Sequence, residues 1–401
     1  MESPKRMRTF IILFIVLLSF SARASILSAV SWDAGNEDIN ALFFAAQTGD
    51  LSSVQKLVEK GINVNAKDEY GTSSLMVAAM NGHMEIVRLL LSKKADINAQ
   101  DIDGFTALMQ AVLNNHVDMV KLLIEKGGNT NEKNNSGNSA LLLAVAKNNV
   151  GMVDLLITKG ADINCKNSNG NTPLMNATAN GFVNIVQILI AKGADICLKN
   201  INGNTALLLA ASKGDVTIVK NLIDNGAFIN AEDKNGNTPL INAVSKEKSA
   251  IFDILLAEGA DIKTKNNKGE TALIYAVMNG SSYMFETLLS KGGDIDDKDN
   301  EGNTLLITAI LYSKREIAQK LLNKGIDVNA KNNEGFTALM YASMYSNIEM
   351  VRDLLVAGAD VTAKNNRGFS ANELALLRNN KRIAKELQGI LMKNPKPRIR
   401  P

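Results

Sequence analysis

The sequence GNTPL, from Gly170 to Leu174, returns unchanged from Gly236 to Leu240. Aligning the chain on the first glycine of this sequence places a glycine every 33 residues, without an insertion. The ten glycines are Gly71, Gly104, Gly137, Gly170, Gly203, Gly236, Gly269, Gly302, Gly335 and Gly368. A fixed period over ten steps indicates one structural unit repeated along the chain. Such an array offers an extended surface more readily than one enclosed catalytic site.

Each unit opens with a turn that leads into a helix. An Asp or Asn stands three residues before each aligned glycine, as Asn167 does before Gly170, and this pairing is typical of a tight hairpin turn. Thr172 and Pro173 then suit the N-cap and the first position of a helix, because Thr accepts a bond from an unpaired N–H and Pro has none to lose. Small and apolar residues follow at i, i+3 and i+4, which predicts an amphipathic helix.

A second helix completes the unit. Apolar residues lie on one stripe, as in Met119, Val120, Leu123 and Ile124, and glycine ends the stripe in almost every unit. Glycine adopts the left-handed C-terminal cap without a steric penalty. Lys94 takes the place of this glycine in one unit, where a left-handed backbone would cost about 1–2 kcal/mol.

A turn, two antiparallel helices, TPL at the start of the first helix and KGADIN (Lys159 to Asn164) after the second resemble the ankyrin repeat. The resemblance implies an all-α solenoid of about eleven 33-residue helix-turn-helix units joined by β-hairpin turns, over residues 38–393. The histidine that usually follows TPL is replaced here by Met or an aliphatic residue, which fills the same gap by apolar packing.

The first 24 residues differ in kind from the array. A basic start precedes an apolar run from Phe10 to Phe20, and Ala22, Arg23 and Ala24 supply an A-x-A cleavage site. This pattern is typical of a cleaved secretory signal peptide. An uncleaved anchor is the alternative, but the run falls short of the roughly 20 residues that span a bilayer. We therefore expect an exported protein, periplasmic or extracellular and without stable membrane insertion, with a short segment at 25–37 and a flexible basic tail at 394–401.

The net charge bears on the class of partner, and the cysteine spacing bears on whether a disulfide forms. Removing residues 1–24 lowers Lys plus Arg from 44 to 40 and Asp plus Glu from 41 to 40, so the mature chain carries no net charge. This argues against a nucleic-acid partner, since that affinity depends on Lys and Arg neutralising phosphates. The two cysteines, Cys165 and Cys197, fall in neighbouring units about 10 Å apart, beyond the Cα separation of a disulfide, so we expect free thiols.

Motifs for catalysis are missing from the sequence. It contains no P-loop, no H-E-x-x-H, no C-x-x-C and no G-x-S-x-G. The two histidines, His83 and His116, lie one repeat apart, which favours packing or capping over metal binding. Asp297, Asp299 and Glu301 imitate the start of a calcium loop, but Thr308 stands where a bidentate Glu is required, so a solvated acidic turn is favoured. We expect no enzyme, no cofactor and no metal.

The resemblance also implies where a partner binds, namely the hairpin tips and the exposed side of the first helix, which together form a concave groove. In the last units these positions become apolar and aromatic. We call this set the C-terminal strip; it comprises Met278, Leu311, Tyr312, Phe336, Met344, Tyr345 and Phe369. Aromatic side chains are enriched at binding hot spots, although some of these residues could instead pack between repeats.

These observations predict an exported, monomeric, non-enzymatic scaffold that binds another protein through this groove. The Asn-, Lys- and Ile-rich composition is consistent with a bacterial source. An alternative is a secreted effector or toxin that binds host proteins. An enzyme that uses the groove is a further alternative, but no residue indicates which reaction it would catalyse.

Overall fold

The structure, a computed structural model, describes residues 37–345 and 347–393. The expected signal peptide, nearly all of the segment at 25–37 and the basic tail lie outside these residues. So does Ser346.

Eleven helix pairs follow one another along the described chain. The first helices of the pairs are α1 (Glu37–Thr48), α3 (Ser74–Asn81), α5 (Ala107–Leu113), α7 (Ala140–Ala146), α9 (Pro173–Asn180), α11 (Ala206–Lys213), α13 (Pro239–Ser245), α15 (Ala272–Asn279), α17 (Leu305–Leu311), α19 (Ala338–Met344) and α21 (Ala371–Leu377). The second helices are α2 (Leu51–Glu59), α4 (Met84–Ser92), α6 (Val117–Glu125), α8 (Val150–Thr158), α10 (Val183–Ala191), α12 (Val216–Asp224), α14 (Ser249–Ala257), α16 (Ser282–Ser290), α18 (Arg315–Asn323), α20 (Ile348–Val356) and α22 (Lys381–Lys393). This confirms the all-α repeat solenoid.

The first helices begin at the predicted caps. Thr172 Oγ1 accepts a hydrogen bond from the backbone N–H of Met175 at 3.2 Å, and Pro173 occupies the first turn. The last first helix, α21, carries a full capping box: Ser370 Oγ accepts from the N–H of Glu373, and Glu373 Oε2 accepts from the N–H of Ser370. Local sequence therefore fixes where each helix starts.

The chain forms two compact units, one ending at Asn167 and one beginning at Ser168. The first unit contains α1 to α8 and the second contains α9 to α22. Within each unit the first helices pack against one another in order, and some neighbouring second helices, such as α2 with α4 and α10 with α12, also touch. The core between the two layers is apolar; in the second unit its largest fully buried side chains include Phe252 and Phe285.

The turns have the predicted chemistry but lack strands. Asn200 Oδ1 accepts from the backbone N–H groups of Asn202 (2.9 Å) and Asn204 (3.0 Å), and Gly203 has a φ of 77°. A Cβ on Gly203 would lie 2.7 Å from the backbone nitrogen of Lys234, so the next turn approaches too closely for any side chain. The expected β-hairpins are thus tight turns. The described residues contain only three isolated bridges: Lys67 with Ser73, Lys298 with Thr304, and Lys364 with Ser370.

Lysine side chains also connect successive turns. Lys265 Nζ donates to the carbonyl oxygen of Lys298 at 2.8 Å, and Lys331 Nζ donates to that of Lys364 at 2.7 Å. Donor and acceptor are 33 positions apart in both cases, so each contact joins equivalent places in consecutive repeats.

Each repeat contains residues whose backbone is left-handed, with a positive φ. Lys94 has a φ of 65°, which confirms the conformation expected where glycine is missing. A second left-handed position, between the two helices of a pair, was not predicted. Glycine fills it in some repeats, as in Gly214, but Glu247 (φ 55°) and Ser313 (φ 56°) fill it in others.

Candidate protein-binding surface

The C-terminal strip lies entirely in the second unit. Met278, Leu311 and Met344 lie at or near the ends of the first helices α15, α17 and α19. Tyr312 and Tyr345 are the C-caps of α17 and α19. The other two members, Phe336 and Phe369, each follow a turn glycine. The strip therefore draws on helix ends and turns from four successive repeats.

The members of the strip differ in exposure. Tyr312 is 50% exposed, Tyr345 57% and Phe369 37%. The strip's Met278, Leu311 and Met344 are half-buried. Phe336 is only 8% exposed, so its packing is that of an interior residue. Three aromatic side chains thus remain open to a partner, with three aliphatic side chains partly accessible among them.

Three rings form a continuous stack beneath and beside this surface. Phe336 stacks on Tyr341 with ring centroids 5.0 Å apart, and Tyr341 stacks on Tyr345 with centroids 6.3 Å apart and planes only 3° apart. Tyr341 was not singled out from the sequence. Its place four residues before Tyr345 on a helix could have indicated it, because such residues share a face. The stack limits the freedom of the exposed Tyr345 ring.

A polar group lies two repeats earlier, at the equivalent place in its repeat. Tyr275 donates through its hydroxyl to Glu270 Oε2 at 2.8 Å, and Asn266 Nδ2 donates to the same oxygen at 3.0 Å. Glu270 is 8% exposed. Burial and the neighbouring carboxylate raise the pKa of Tyr275 to about 12, since both disfavour the phenolate. Sequence reasoning assigns Glu270 to a hairpin tip, because it follows the turn glycine Gly269, but it missed Tyr275.

The equivalent group two repeats later contains no carboxylate. Asn332 Nδ2 donates to Tyr341 Oη at 3.1 Å and to Asn303 Oδ1 at 2.9 Å. Phe336 occupies the place that Glu270 has in the earlier repeat. Burial, followed by the charges of Glu334 and Glu301, raises the pKa of Tyr341. Both tyrosines therefore lie in negatively charged surroundings.

The residues considered for metal chemistry have structural partners. His83 Nε2 lies 3.0 Å from the carbonyl oxygen of Gln47, and His116 Nε2 lies 3.0 Å from that of Met80. Each histidine stands at an N-cap without a side-chain capping bond, so each packs rather than caps. Within the described ranges no group of three or more His, Cys, Asp or Glu is placed to hold a metal ion.

The acidic turn is less solvated than expected. Asp297 pairs with Lys265 at 2.7 Å and accepts from Thr271 Oγ1 at 2.7 Å, with its side chain only 10% exposed. Asp299 Oδ1 accepts from the N–H of Asn303, as a turn residue does. Asp297 therefore has a structural role that its sequence did not indicate.

Both cysteines are free, as expected. Cys165 is buried with Sγ 3.2 Å from Ser139 Oγ, and burial raises the pKa of its thiol. Cys197 is exposed. A membrane span is also missing from the described part of the chain, where no helix combines the length and apolar character that crossing requires.

Comparison with known proteins identifies the repeat. A family model described as ankyrin repeats (3 copies) matches successive overlapping segments, namely residues 18–101, 42–134, 75–167, 108–200, 141–233, 174–266, 208–299, 240–332 and 292–365. No curated protein matches the chain. The matched segments cover most of the sequence and contain the first ten of the eleven helix pairs; α21 and α22 lie beyond them. The chain belongs to the ankyrin-repeat family.

Proposed function

We propose that this protein is an exported, non-enzymatic scaffold that binds a partner protein through the exposed residues of the C-terminal strip. Ankyrin repeats are protein–protein interaction modules, and this family is typically without catalytic activity. We also propose that the protein is monomeric.

The exposure of Tyr312, Tyr345 and Phe369 carries the proposal. Aromatic side chains dominate binding hot spots because they bury a large area with few rotatable bonds. The ring stack supports Tyr345 in one orientation, so less side-chain entropy is lost on binding. Exposed aromatic residues from neighbouring repeats on one face are typical of an interaction site.

The binding experiment uses tagged protein of residues 25–401 to capture partners from the native cell envelope, with identification by mass spectrometry. Tyr312→Ala/Tyr345→Ala is the test variant. Phe228→Ala is the matched control, because Phe228 is 64% exposed and lies outside the strip. We expect a partner that the parent and the control retain and the folded double variant loses. Equal capture by all three proteins would remove the strip from the proposal.

Export has a separate test. The A-x-A pattern at Ala22 to Ala24 supports cleavage after residue 24. Protein with a C-terminal tag, recovered from the envelope or the medium, should begin at Ser25 by N-terminal sequencing. Recovery of the uncleaved chain from the cytoplasm would contradict export without affecting the scaffold assignment.

A further inference from the structure

We propose that the partner segment carries an arginine, which stacks on Tyr312 and places its guanidinium on the carboxylate of Glu270. This inference rests on the proposed function, because it specifies the chemistry of the partner at the same surface. The occupant is an exposed basic segment of another protein.

Glu270 is a buried carboxylate that uses only one of its oxygens. Tyr275 and Asn266 both donate to Oε2, and within the described residues nothing donates to Oε1. The enclosed side-chain oxygens without a partner in those residues belong to Thr178 and Asn372, so Oε1 is not sealed from solvent. A carboxylate that is largely removed from water gains strongly from a hydrogen-bonded cation. The free oxygen is therefore an acceptor for a ligand.

Nearby carboxylates also lack a cation. In the described parts of the chain, Glu270, Glu301 and Glu334 form no ion pair, although Glu301 accepts from Asn303 Nδ2 at 3.2 Å. Lys268 and Arg367 occupy the flanking turns in the same row as Glu301 and Glu334, but neither pairs with them. Three carboxylates without an ion pair in the described residues thus accompany the aromatic residues.

The second helices of the same repeats show the opposite pattern. Arg315 pairs with Asp353 at 2.7 Å, Arg352 with Glu386 at 2.9 Å, and Lys324 with Glu286 at 3.3 Å. Each of these pairs connects neighbouring repeats. Several carboxylates on the second helices are therefore paired, whereas Glu270, Glu301 and Glu334 form no ion pair within the described residues, so their charge is available to a basic partner.

The nearby carboxylates also affect the pKa values of two tyrosines. The charge of Glu270 contributes to the raised pKa of Tyr275, and Tyr312 lies close enough to Tyr275 to contribute as well. The charges of Glu334 and Glu301 contribute in the same sense at Tyr341. Carboxylates and aromatic rings therefore share one local environment in three successive repeats.

Arginine fits this environment better than other side chains. Its planar guanidinium stacks on an aromatic face and donates in a fork that matches a carboxylate. Lysine supplies the charge as a compact, strongly hydrated ammonium without the planar fork. An apolar side chain would leave Oε1 of Glu270 without a donor and remove it further from water, which is unfavourable.

A phage library of random twelve-residue peptides, selected on residues 25–401, tests the inference. We expect recovered peptides to share an arginine and to require Tyr312. Replacing that arginine with citrulline, which keeps the shape and removes the charge, should weaken binding about tenfold or more by fluorescence polarisation, and Glu270→Gln should do the same. Glu334→Gln, at an exposed residue, should weaken binding by a smaller factor and leave folding intact. Glu258→Gln, at an exposed carboxylate on a second-helix cap, is the matched control and should change nothing.

The outcomes separate this inference from the proposed function. Peptides that require Tyr312 and Tyr345 but lack a basic residue, or that bind Glu270→Gln unchanged, would overturn the arginine and leave the strip in place. No enriched peptide, or peptides indifferent to Tyr312 and Tyr345, would overturn both. Recovered peptides that bind residues 25–393 at least about tenfold more tightly than residues 25–401 would identify the chain's own basic tail as the occupant and overturn the partner protein.

Discussion

The ring of Phe336 stacks on the ring of Tyr341, with centroids 5.0 Å apart and planes inclined by 26°. Phe336 and Phe369 both follow a turn glycine, yet only Phe369 is open to solvent. The five-residue spacing from Phe336 to Tyr341 places a second aromatic ring against the first, whereas Leu374 stands at that spacing from Phe369. Equivalent positions in the repeat therefore have different roles.

Phe336→Ala should lower the free energy of unfolding by about 3 kcal/mol, because it opens a cavity beneath Tyr341. Phe369→Ala should lower it by only about 1 kcal/mol, because Phe369 is 37% exposed and its removal leaves no enclosed cavity. Urea denaturation followed by circular dichroism measures both. Similar losses for the two variants would show that Phe336 does not support the ring stack as described.

Tyr275→Phe should reduce stability at neutral pH and have no effect at high pH. The folded pKa of about 12 exceeds the ordinary value of 10, so folding favours the neutral phenol. That stabilisation is complete below pH 10 and is lost as the pH rises through 12. The difference in urea midpoint between the parent and Tyr275→Phe should therefore shrink from pH 9 to pH 12. A difference that stays constant over this range would show that burial and the bond to Glu270 do not raise the pKa of Tyr275 in the folded protein.

Lys94→Gly should stabilise the first unit by about 1 kcal/mol, because Lys94 has a φ of 65° and glycine adopts that conformation without strain. The neighbouring Lys93→Gly is the control. Lys93 has a φ of −98°, so glycine there relieves no strain and should destabilise the protein. Thermal denaturation of the three proteins checks the order. A lower midpoint for Lys94→Gly than for the parent would contradict it.

Thr178→Val should raise stability by about 1–2 kcal/mol. The Thr178 hydroxyl is fully buried on α9 and has no hydrogen-bond partner among the residues that the structure describes. Valine keeps the shape without the unsatisfied oxygen. Ser343→Ala offers the contrasting case, because Ser343 Oγ donates to the carbonyl oxygen of Leu339 at 2.7 Å. That variant should lose about 1 kcal/mol. Denaturation midpoints of both variants show whether removing a buried hydroxyl stabilises the protein when the hydroxyl lacks a hydrogen bond and destabilises it when the hydroxyl makes one.

Much of the fold could be predicted from the sequence because its signals are local and repeated. Thr172 and Pro173 specify a helix start through their own backbone preferences, and the left-handed Lys94 follows from the place of glycine in other repeats. Glu247 and Ser313 were missed because their side chains give no sign of a positive φ; the surrounding helices impose it. Local propensity fixes the elements, whereas packing decides where a backbone must bend.

The surface could be predicted only in part. Tyr312, Tyr345 and Phe369 are exposed where the repeat pattern placed them. The burial of Phe336 depends on its contact with Tyr341, and the sequence pattern assigns both to a turn or a helix without stating that they touch. The bond between Tyr275 and Glu270 crosses the junction of turn and helix, a spacing that no periodicity marks. Side-chain partners of this kind require coordinates.

The lysine contacts between turns bear on how the number of repeats can change during evolution. Lys265 and Lys331 each reach a backbone oxygen 33 positions ahead, and a backbone oxygen is present whatever residue stands there. Unequal recombination that removes or copies one whole period would therefore bring a lysine opposite an equivalent acceptor, whereas a change of a few codons would not. A whole repeat can in this way be gained or lost in a single event, and the tyrosines of the last repeats can be replaced without altering the 33-residue spacing beneath them.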